Sequence, residues 1–430
     1  MPGATRVVGI LAGGGSLPRE IAAHVAASGG AVHIVAIDGE WDDDRSGLPV
    51  TRVGWAQIGA MVRTLRGAGV TELVIAGSVR RPDLGALKPD LGFYLNLPAI
   101  ARIVAGGGDD SVLSRVVRFF ERKGFKVVSP VAVAPSLLIG EGPLGAVRAT
   151  SSDMTDIARG FDVVRALGPF DLGQAVVVAD GRLEAIEGVE NTDAMLARLA
   201  LQRRASEGGI GRRHGVLVKR PKPGQEMRVD MPAIGPRTVA RALDAGLRGI
   251  AVLAGGAIAL ERGELVRSAD AGGLFVKGAV DRGLPVGLPA KHPAFVAVGR
   301  LAPGPRQLAA AARGAALLDA LRPFRASGAA VVDRGHVLAV ECGEGVAALI
   351  ARAGNLRQWG RRRWGRRSAV AVVSEAVTSD LASVVAAAAA AHLAGVAVVG
   401  RRPDELAHGV EAAARYKLFL VTAPRREGAT

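Results

Sequence analysis

Short apolar runs that alternate with amphipathic ones constrain this chain more than any other feature. Val7-Val8-Gly9-Ile10-Leu11 leads into Ala12-Gly13-Gly14-Gly15-Ser16-Leu17-Pro18, and an amphipathic stretch over 19–28 follows, closed by Gly29-Gly30. The order is strand, glycine loop, helix. Residues 32–37, 73–76 and 126–128 are further apolar runs, and 111–123 reads as a helix that Gly124 stops. Alternation at this spacing predicts a doubly wound parallel sheet. A glycine loop ahead of a helix lets backbone N–H groups approach a phosphate. The competing reading is a tight turn without a ligand.

Other signals in this first domain point the same way. Asp38 ends the second apolar run, where a dinucleotide fold would hold a ribose. The dinucleotide fingerprint is nevertheless broken, because Pro18 stands where its third glycine belongs. Gly77 and Ser78 follow the third run directly, and Arg80 and Arg81 come next, which suits an anion at a sheet's carboxyl edge. Asp109 and Asp110 open a helix and either cap it or face a ligand.

Composition narrows the partners. The chain has 430 residues, a net charge of +15 and 49% hydrophobic residues, so it can bury real cores and favours anionic partners. Ten Phe, four Trp and two Tyr offer few stacking platforms, and no nucleic-acid partner is expected. The single Cys342 excludes an intrachain disulfide and any cysteine-based zinc site. The first residues show no secretory signal, and the most apolar window, 384–399, is too short and alanine-rich to span a bilayer. A cytoplasmic protein is expected.

A second α/β domain is expected over about 141–288. Residues 156–166 read as a helix, and 174–178 with 182–186 as a hairpin around Asp180-Gly181. Glu187 to Asp193 then lead into a helix over 194–203, with Thr192 or Asp193 as its cap. Two further glutamates, Glu187 and Glu190, exceed what capping needs. Next comes a buried strand over 215–218, followed by K-R-P-K-P-G-Q-E-M-R-V-D-M-P-A-I-G over 219–235 and a helix from Pro236. Prolines and glycines fix that loop, and cations flank the carboxylate of Asp230. Such a loop suits a phosphate and a metal ion; the plainer reading is an exposed charged connection.

Taken in order, these pieces resemble a known family, the UDP-2,3-diacylglucosamine pyrophosphatases of the LpxI-like type found in many alphaproteobacteria. The resemblance rests on G-I-L-A-G-G-G-S-L-P from Gly9, A-G-S-V-R-R-P from Ala76, G-D-D-S-V-L from Gly108, D-L-G-Q-A-V-V-V from Asp171, T-D-A-M-L from Thr192 and the 218–235 loop. Glu190-Asn191-Thr192-Asp193 stands where the family has E-G-T-D, and Gln225-Glu226 where it has Q-D. The resemblance implies hydrolysis of UDP-2,3-diacylglucosamine to UMP and 2,3-diacylglucosamine 1-phosphate in lipid A biosynthesis. It also implies a divalent metal, commonly Mg²⁺, with water attacking the β-phosphorus, and a location peripheral to the inner membrane.

Residue reading and resemblance together give the candidate site. Asp230 matches the acid the family requires, suited to hold the metal or to take the water's proton. Lys219, Gln225 and Glu226 join it as catalytic candidates. Gly13, Gly14, Gly15, Ser16, Gly77, Ser78, Arg81, Asp109, Asp110, Gln174, Thr192, Asp193, Lys222 and Arg228 are the expected substrate contacts. Two other classes compete: a nicotinamide-dependent oxidoreductase, from the glycine loop and Asp38, and a non-catalytic peripheral membrane scaffold.

Residues 289–430 run beyond the resemblance, and they read as a degenerate copy of the second domain. From Ala312 to Leu349 they follow 158–195 without a gap, Pro323-Phe324 opposite Pro169-Phe170 and Glu341 and Glu344 opposite Glu187 and Glu190. Val373 stands opposite Lys219, and the Pro/Gly loop with Asp230 has no counterpart. The expected architecture is therefore a Rossmann-like domain (1–140), a catalytic α/β domain (141–288) and its degenerate repeat (289–430). Within the repeat, residues 356–367 pack six arginines with Trp359 and Trp364, a composition suited to anionic headgroups.

Overall fold

The computed structural model describes residues 6–41, 47–79, 85, 87–104, 109–205, 213–283, 294–324, 328–358 and 367–424. They divide into two compact units, both α/β. The first runs to Glu141 and takes in two later excursions of the chain, 224–236 and 254–268; the second comprises 142–223, 237–253 and everything from Ala269 onward.

The first unit contains β1 (Val7–Ala12), α1 (Leu17–Ala27), β2 (Ala31–Ile37), β3 (Val50–Val53), α2 (Ile58–Gly67), β4 (Glu72–Ala76), α3 (Leu91–Leu95), α4 (Leu97–Val104), α5 (Asp109–Arg122), β5 (Lys126–Val127) and α6 (Pro130–Val133). Its five strands are all parallel, in the order β3-β2-β1-β4-β5. A parallel sheet is covered on both faces, so its strands read as unbroken apolar runs. Ile10, Ile34 and Val74 face one core with Ile21 of α1; Leu11, Val35 and Leu73 face the other with Leu65 of α2 and Phe120 of α5. The strand order reverses between β1 and β4, and ligands of such sheets lie at the carboxyl ends of the strands there. Gly13–Ser16 and Gly77-Ser78 stand at those two ends.

Along the second unit come β6 (Gly142–Pro143), α7 (Ser151–Leu167), β7 (Ala175–Ala179), β8 (Arg182–Ile186), α8 (Thr192–Ala205) and β9 (Val216–Lys219). The chain then enters the first excursion, with β10 (Ala233–Ile234), and returns through α9 (Pro236–Asp244) and β11 (Gly249–Leu253). The second excursion brings β12 (Ile258–Ala259), parallel to β10, before α10 (Arg262–Ala271) and β13 (Phe275–Ala279). The sheet order is β6-β13-β11-β9-β7-β8. We refer to this as the first lobe.

A second lobe follows: β14 (Val296–Ala297), α11 (Pro305–Leu321), β15 (Ala329–Asp333), β16 (His336–Val340), α12 (Val346–Gln358), β17 (Val370–Ser374), α13 (Leu381–Ala390), β18 (Gly395–Val399), α14 (Ala407–Tyr416) and β19 (Phe419–Ala423). Its sheet order, β14-β19-β18-β17-β15-β16, is that of the first lobe strand for strand. Both sheets have a parallel centre flanked by antiparallel neighbours, and both hairpins carry an irregularity, at Val177/Val178 and at Val331/Val332.

Local chemistry sets the lobes' main helices. α7 begins at Ser151, earlier than the expected 156, because Thr150 and Asp153 form a reciprocal capping box. Burial alone would raise the Asp153 carboxyl. Bonds from Arg248 and Thr150 outweigh it and hold the group below the usual carboxylate range. Gly160 lets α7 lie close on β9: a Cβ there would stand 2.5 Å from Val218 Cγ2, and Gly314 of α11 stands in the same relation to Val372 of β17. One apolar core, with Phe161, Leu167, Ala311 and Leu318 among its members, runs through both lobes.

Candidate functional site

In the first unit the two glycine loops are stitched to each other. Gly13 N donates to Ala76 O at 2.9 Å, Gly14 N to Ser78 O at 2.7 Å and Ser78 N to Gly14 O at 2.9 Å. Gly77 has φ +96°, and a Cβ on it would lie 2.7 Å from Gly13 C. The glycines are thus required by backbone-to-backbone approach at the switch point. Gly15 and Ser16 continue from this stitch into the first turn of α1, where helix amides and dipole favour an anion. Pro18 is buried in that turn, so the dinucleotide fingerprint ends there. Asp38 follows β2, its N–H bonded to Val53 O at 2.9 Å.

The first excursion brings Gln225, Glu226, Arg228 and Asp230 into this same unit. Gln225 is buried, and its Nε2 donates to Asp230 O at 2.6 Å and to Asp230 Oδ2 at 2.7 Å. A single amide therefore fixes both the backbone and the carboxylate of Asp230. Both oxygens of Glu226 accept from Arg228, at 2.8 and 2.7 Å, and Arg228 reaches Glu121 of α5 at 2.7 Å. The Arg228 guanidinium holds the Glu226 carboxyl below its ordinary range. Met231 and Ala233 pack against the core that contains Ala12 and Ala76, the last residues of β1 and β4. The loop is anchored at each end of its charged segment.

The second unit holds the remaining candidates. Lys219, at the end of β9, is buried, and its Nζ donates to Thr192 Oγ1 at 3.0 Å. The Thr192 hydroxyl donates to Glu187 Oε1 at 2.6 Å, and Glu187 Oε2 accepts from Gln174 N at 2.9 Å. This chain of polar groups joins the starts of β7 and α8 to the end of β9. Asn191, not Thr192 or Asp193, caps α8: its Oδ1 accepts from Ala194 N at 3.0 Å, which leaves the Thr192 hydroxyl for the buried chain. Asp193 pairs with Arg237, and Lys222 with Asp171 at 2.6 Å. Asp281 bridges Arg165 and Arg220, an arrangement no local sequence pattern announced. Arg81 lies outside the described residues; Asp109 and Asp110 open α5, but their side chains lie outside them too.

Among the described residues no three His, Cys, Asp or Glu side chains gather as a metal cage. The residues present fit Mg²⁺ in another mode. That ion is commonly held by one or two carboxylates together with substrate phosphates and water, and Asp230 is a fixed carboxylate in the unit that carries the switch-point loops.

Fold and site define an α/β protein with a phosphate-suited switch point and a clamped carboxylate on a rigid cationic loop. The chain belongs to the LpxI family: the LpxI N-terminal domain matches residues 7–137, and the LpxI C-terminal domain matches 140–277 and 296–381. It is 40% identical over 273 residues to the UDP-2,3-diacylglucosamine pyrophosphatase LpxI of Caulobacter vibrioides, which covers 64% of this chain and 97% of the relative.

Proposed function

We propose that this chain hydrolyses the pyrophosphate of UDP-2,3-diacylglucosamine to UMP and 2,3-diacylglucosamine 1-phosphate in lipid A synthesis. The observation that carries the reading is Asp230, held at backbone and carboxylate by Gln225 in a chain 40% identical to the Caulobacter pyrophosphatase. Mg²⁺, when bound by Asp230 and the phosphates, would neutralise phosphate charge and acidify a water. The chain's own residues supply the rest. Gln225 orients Asp230, the Glu226–Arg228 pair stiffens the loop, and the first turn of α1 favours the phosphate charge. Thr192 and Lys219 form a second polar set on the first lobe. Product analysis with the purified chain, with Mg²⁺ and with a chelator, tests the reading. Asp230→Asn should lose activity by about 10² or more and keep its melting temperature; turnover near that of the parent chain would remove Asp230 from the mechanism.

Two finer readings are part of the proposal. The second lobe is a degenerate copy of the first, supported by equal sheet orders and by one domain family matching both segments. The chain also touches an anionic membrane surface peripherally. No helix among the described residues is long and apolar enough to cross one. Trp359 to Arg366 lie outside the described residues, but α3 and α4 expose Leu91, Tyr94, Leu95 and Leu97. α4 packs on α5, and a cavity of about 190 Å³ on these two helices is lined by Arg102, Arg115, Arg118 and Arg122 with Ala99 and Ile103. Apolar side chains next to clustered guanidinium groups suit acyl chains and anionic headgroups.

A further inference from the structure

The two lobes of the second unit meet through equivalent residues used reciprocally. Arg159 of α7 donates to Pro323 O at 3.3 Å and lies over the Phe324 ring at 5.6 Å. Arg313 of α11 donates to Pro169 O at 3.4 Å and lies over the Phe170 ring at 5.6 Å. Arg159 and Arg313 hold the same place in their lobes, as do Phe170 and Phe324. When i contacts j and the counterpart of i contacts the counterpart of j, the interface has the form of a two-fold dimer. Here it closes inside one chain.

A second contact crosses the same seam and is not reciprocal. Within each lobe an arginine ties the loop before the helix: Arg198 donates to Ile186 O and to Glu190 Oε1, both at 3.2 Å, and Arg352 donates to Val340 O at 3.1 Å and pairs with Glu344. Arg352 alone also reaches across, its Nη1 to Glu190 Oε1 at 3.2 Å. Glu190 sits midway between Glu187 and Thr192, on the loop that joins those two members of the buried chain ending at Lys219. Gly188 of that loop approaches the second lobe so closely that a Cβ would stand 2.8 Å from Leu338 O. Cys342 lies at this seam, where burial pushes its thiol up to about 12 and Arg198 of the first lobe is among the charges it feels.

We propose that the second lobe serves as a fused second subunit whose Arg352 is a positioning residue for the 187–192 loop of the first lobe. The lobe that lacks Lys219 and the Asp230 loop thus still acts on the site, by holding Glu190 and through it the placement of Thr192 and Lys219. The kinetic part of this inference rests on the pyrophosphatase reading; the structural part does not.

The test compares full-length Arg352→Ala, Arg352→Lys and Glu344→Gln. Glu344→Gln breaks the pair inside the second lobe but leaves the crossing contact. Hydrogen exchange over 187–195 is expected to rise about tenfold in Arg352→Ala, to return partly in Arg352→Lys and to stay unchanged in Glu344→Gln. Hydrolysis should follow the same order, with kcat/KM down about tenfold in Arg352→Ala, the size of one lost charge-assisted bond. Unchanged exchange over 187–195 in Arg352→Ala would overturn the proposal, as would equal loss of kcat/KM in Glu344→Gln. If the parent chain hydrolyses nothing, the function reading falls and the exchange result still decides this one.

Discussion

Gln225 offers the sharpest test of how the site is built. Its amide makes one charge-assisted bond, to Asp230 Oδ2, and one neutral bond, to Asp230 O. The first is worth about 1.5–3 kcal/mol and the second about 0.5–1.5 kcal/mol in stability. In Gln225→Ala the backbone of the loop still has Met231 and Ala233 in the core and Arg228 on Glu121. The stability loss should therefore stay near the lower end, about 2 kcal/mol, which in a unit of this size is a fall of roughly 4–8 °C. Catalysis should suffer more, because a carboxylate freed by about 1 Å can cost on the order of 10² in rate. Gln225→Glu adds a second carboxylate beside Asp230. Like charges at this distance raise each other's pKa, so its pH–rate profile should move its acidic limb upward by a unit or more. Steady-state kinetics against pH, with melting curves of all variants, reads every term. If Gln225→Ala melts lower yet keeps kcat within a factor of about two, Gln225 is a structural residue only and the clamp argument fails.

Other outcomes follow from the same contacts. Gly77→Val should lower the melting temperature rather than act on KM alone, because its φ of +96° and the nearby Gly13 backbone leave no room for a Cβ; an intact melting curve would show that the two loops can separate. Glu226 has a depressed pKa, so its pairing contributes stability that is complete above the ordinary carboxylate value and is lost as pH falls through the folded value. Melting curves from pH 6 to pH 3 should fall less steeply for Glu226→Gln than for the parent chain, and parallel curves would contradict the sign. Leu91→Ser with Leu95→Ser, or Arg115→Ser with Arg118→Ser, should each weaken co-sedimentation with anionic vesicles. Juxtamembrane cations contribute about 1 kcal/mol apiece, and the arginine effect should shrink as salt rises; equal sedimentation would refute this face as the contact.

Much of this was legible in the residues. The hairpin of β7 and β8 could be read because Asp180 and Gly181 must both take positive φ, 50° and 73° here, and few residue pairs do so readily. The parallel sheet could be read because strands buried on both faces leave unbroken apolar runs. The destination of the 224–236 segment could not. That stretch has no periodicity, and what places it is Met231 and Ala233 in a distant core and Arg228 on Glu121, 107 residues away. The identity of the α8 cap was missed for a related reason: Asn, Thr and Asp all serve as caps, and only Lys219 and Glu187 together claim the Thr192 hydroxyl. Arg352 carried no signal at all, since its partner on the other lobe lies 162 residues earlier.

The difference between the lobes separates the two pressures on a site like this. Positions that build the lobes agree: Arg159 with Arg313 and Phe170 with Phe324 across the seam, and Gly160 with Gly314, Arg198 with Arg352 and Glu190 with Glu344 inside each lobe. Positions that would serve chemistry do not. Val373 replaces Lys219 and Val346 replaces Thr192, and Glu341, the counterpart of Glu187, accepts instead from the backbone N–H groups of Gly343 at 2.7 Å and Gly345 at 3.1 Å. A buried lysine and hydroxyl carry a desolvation cost, and replacing such a network with apolar residues is often neutral or stabilising. A carboxylate left behind must find new donors, and the two glycine amides supply them. In the second lobe the seam contacts of the first are matched, and its Lys219–Thr192 bond is not.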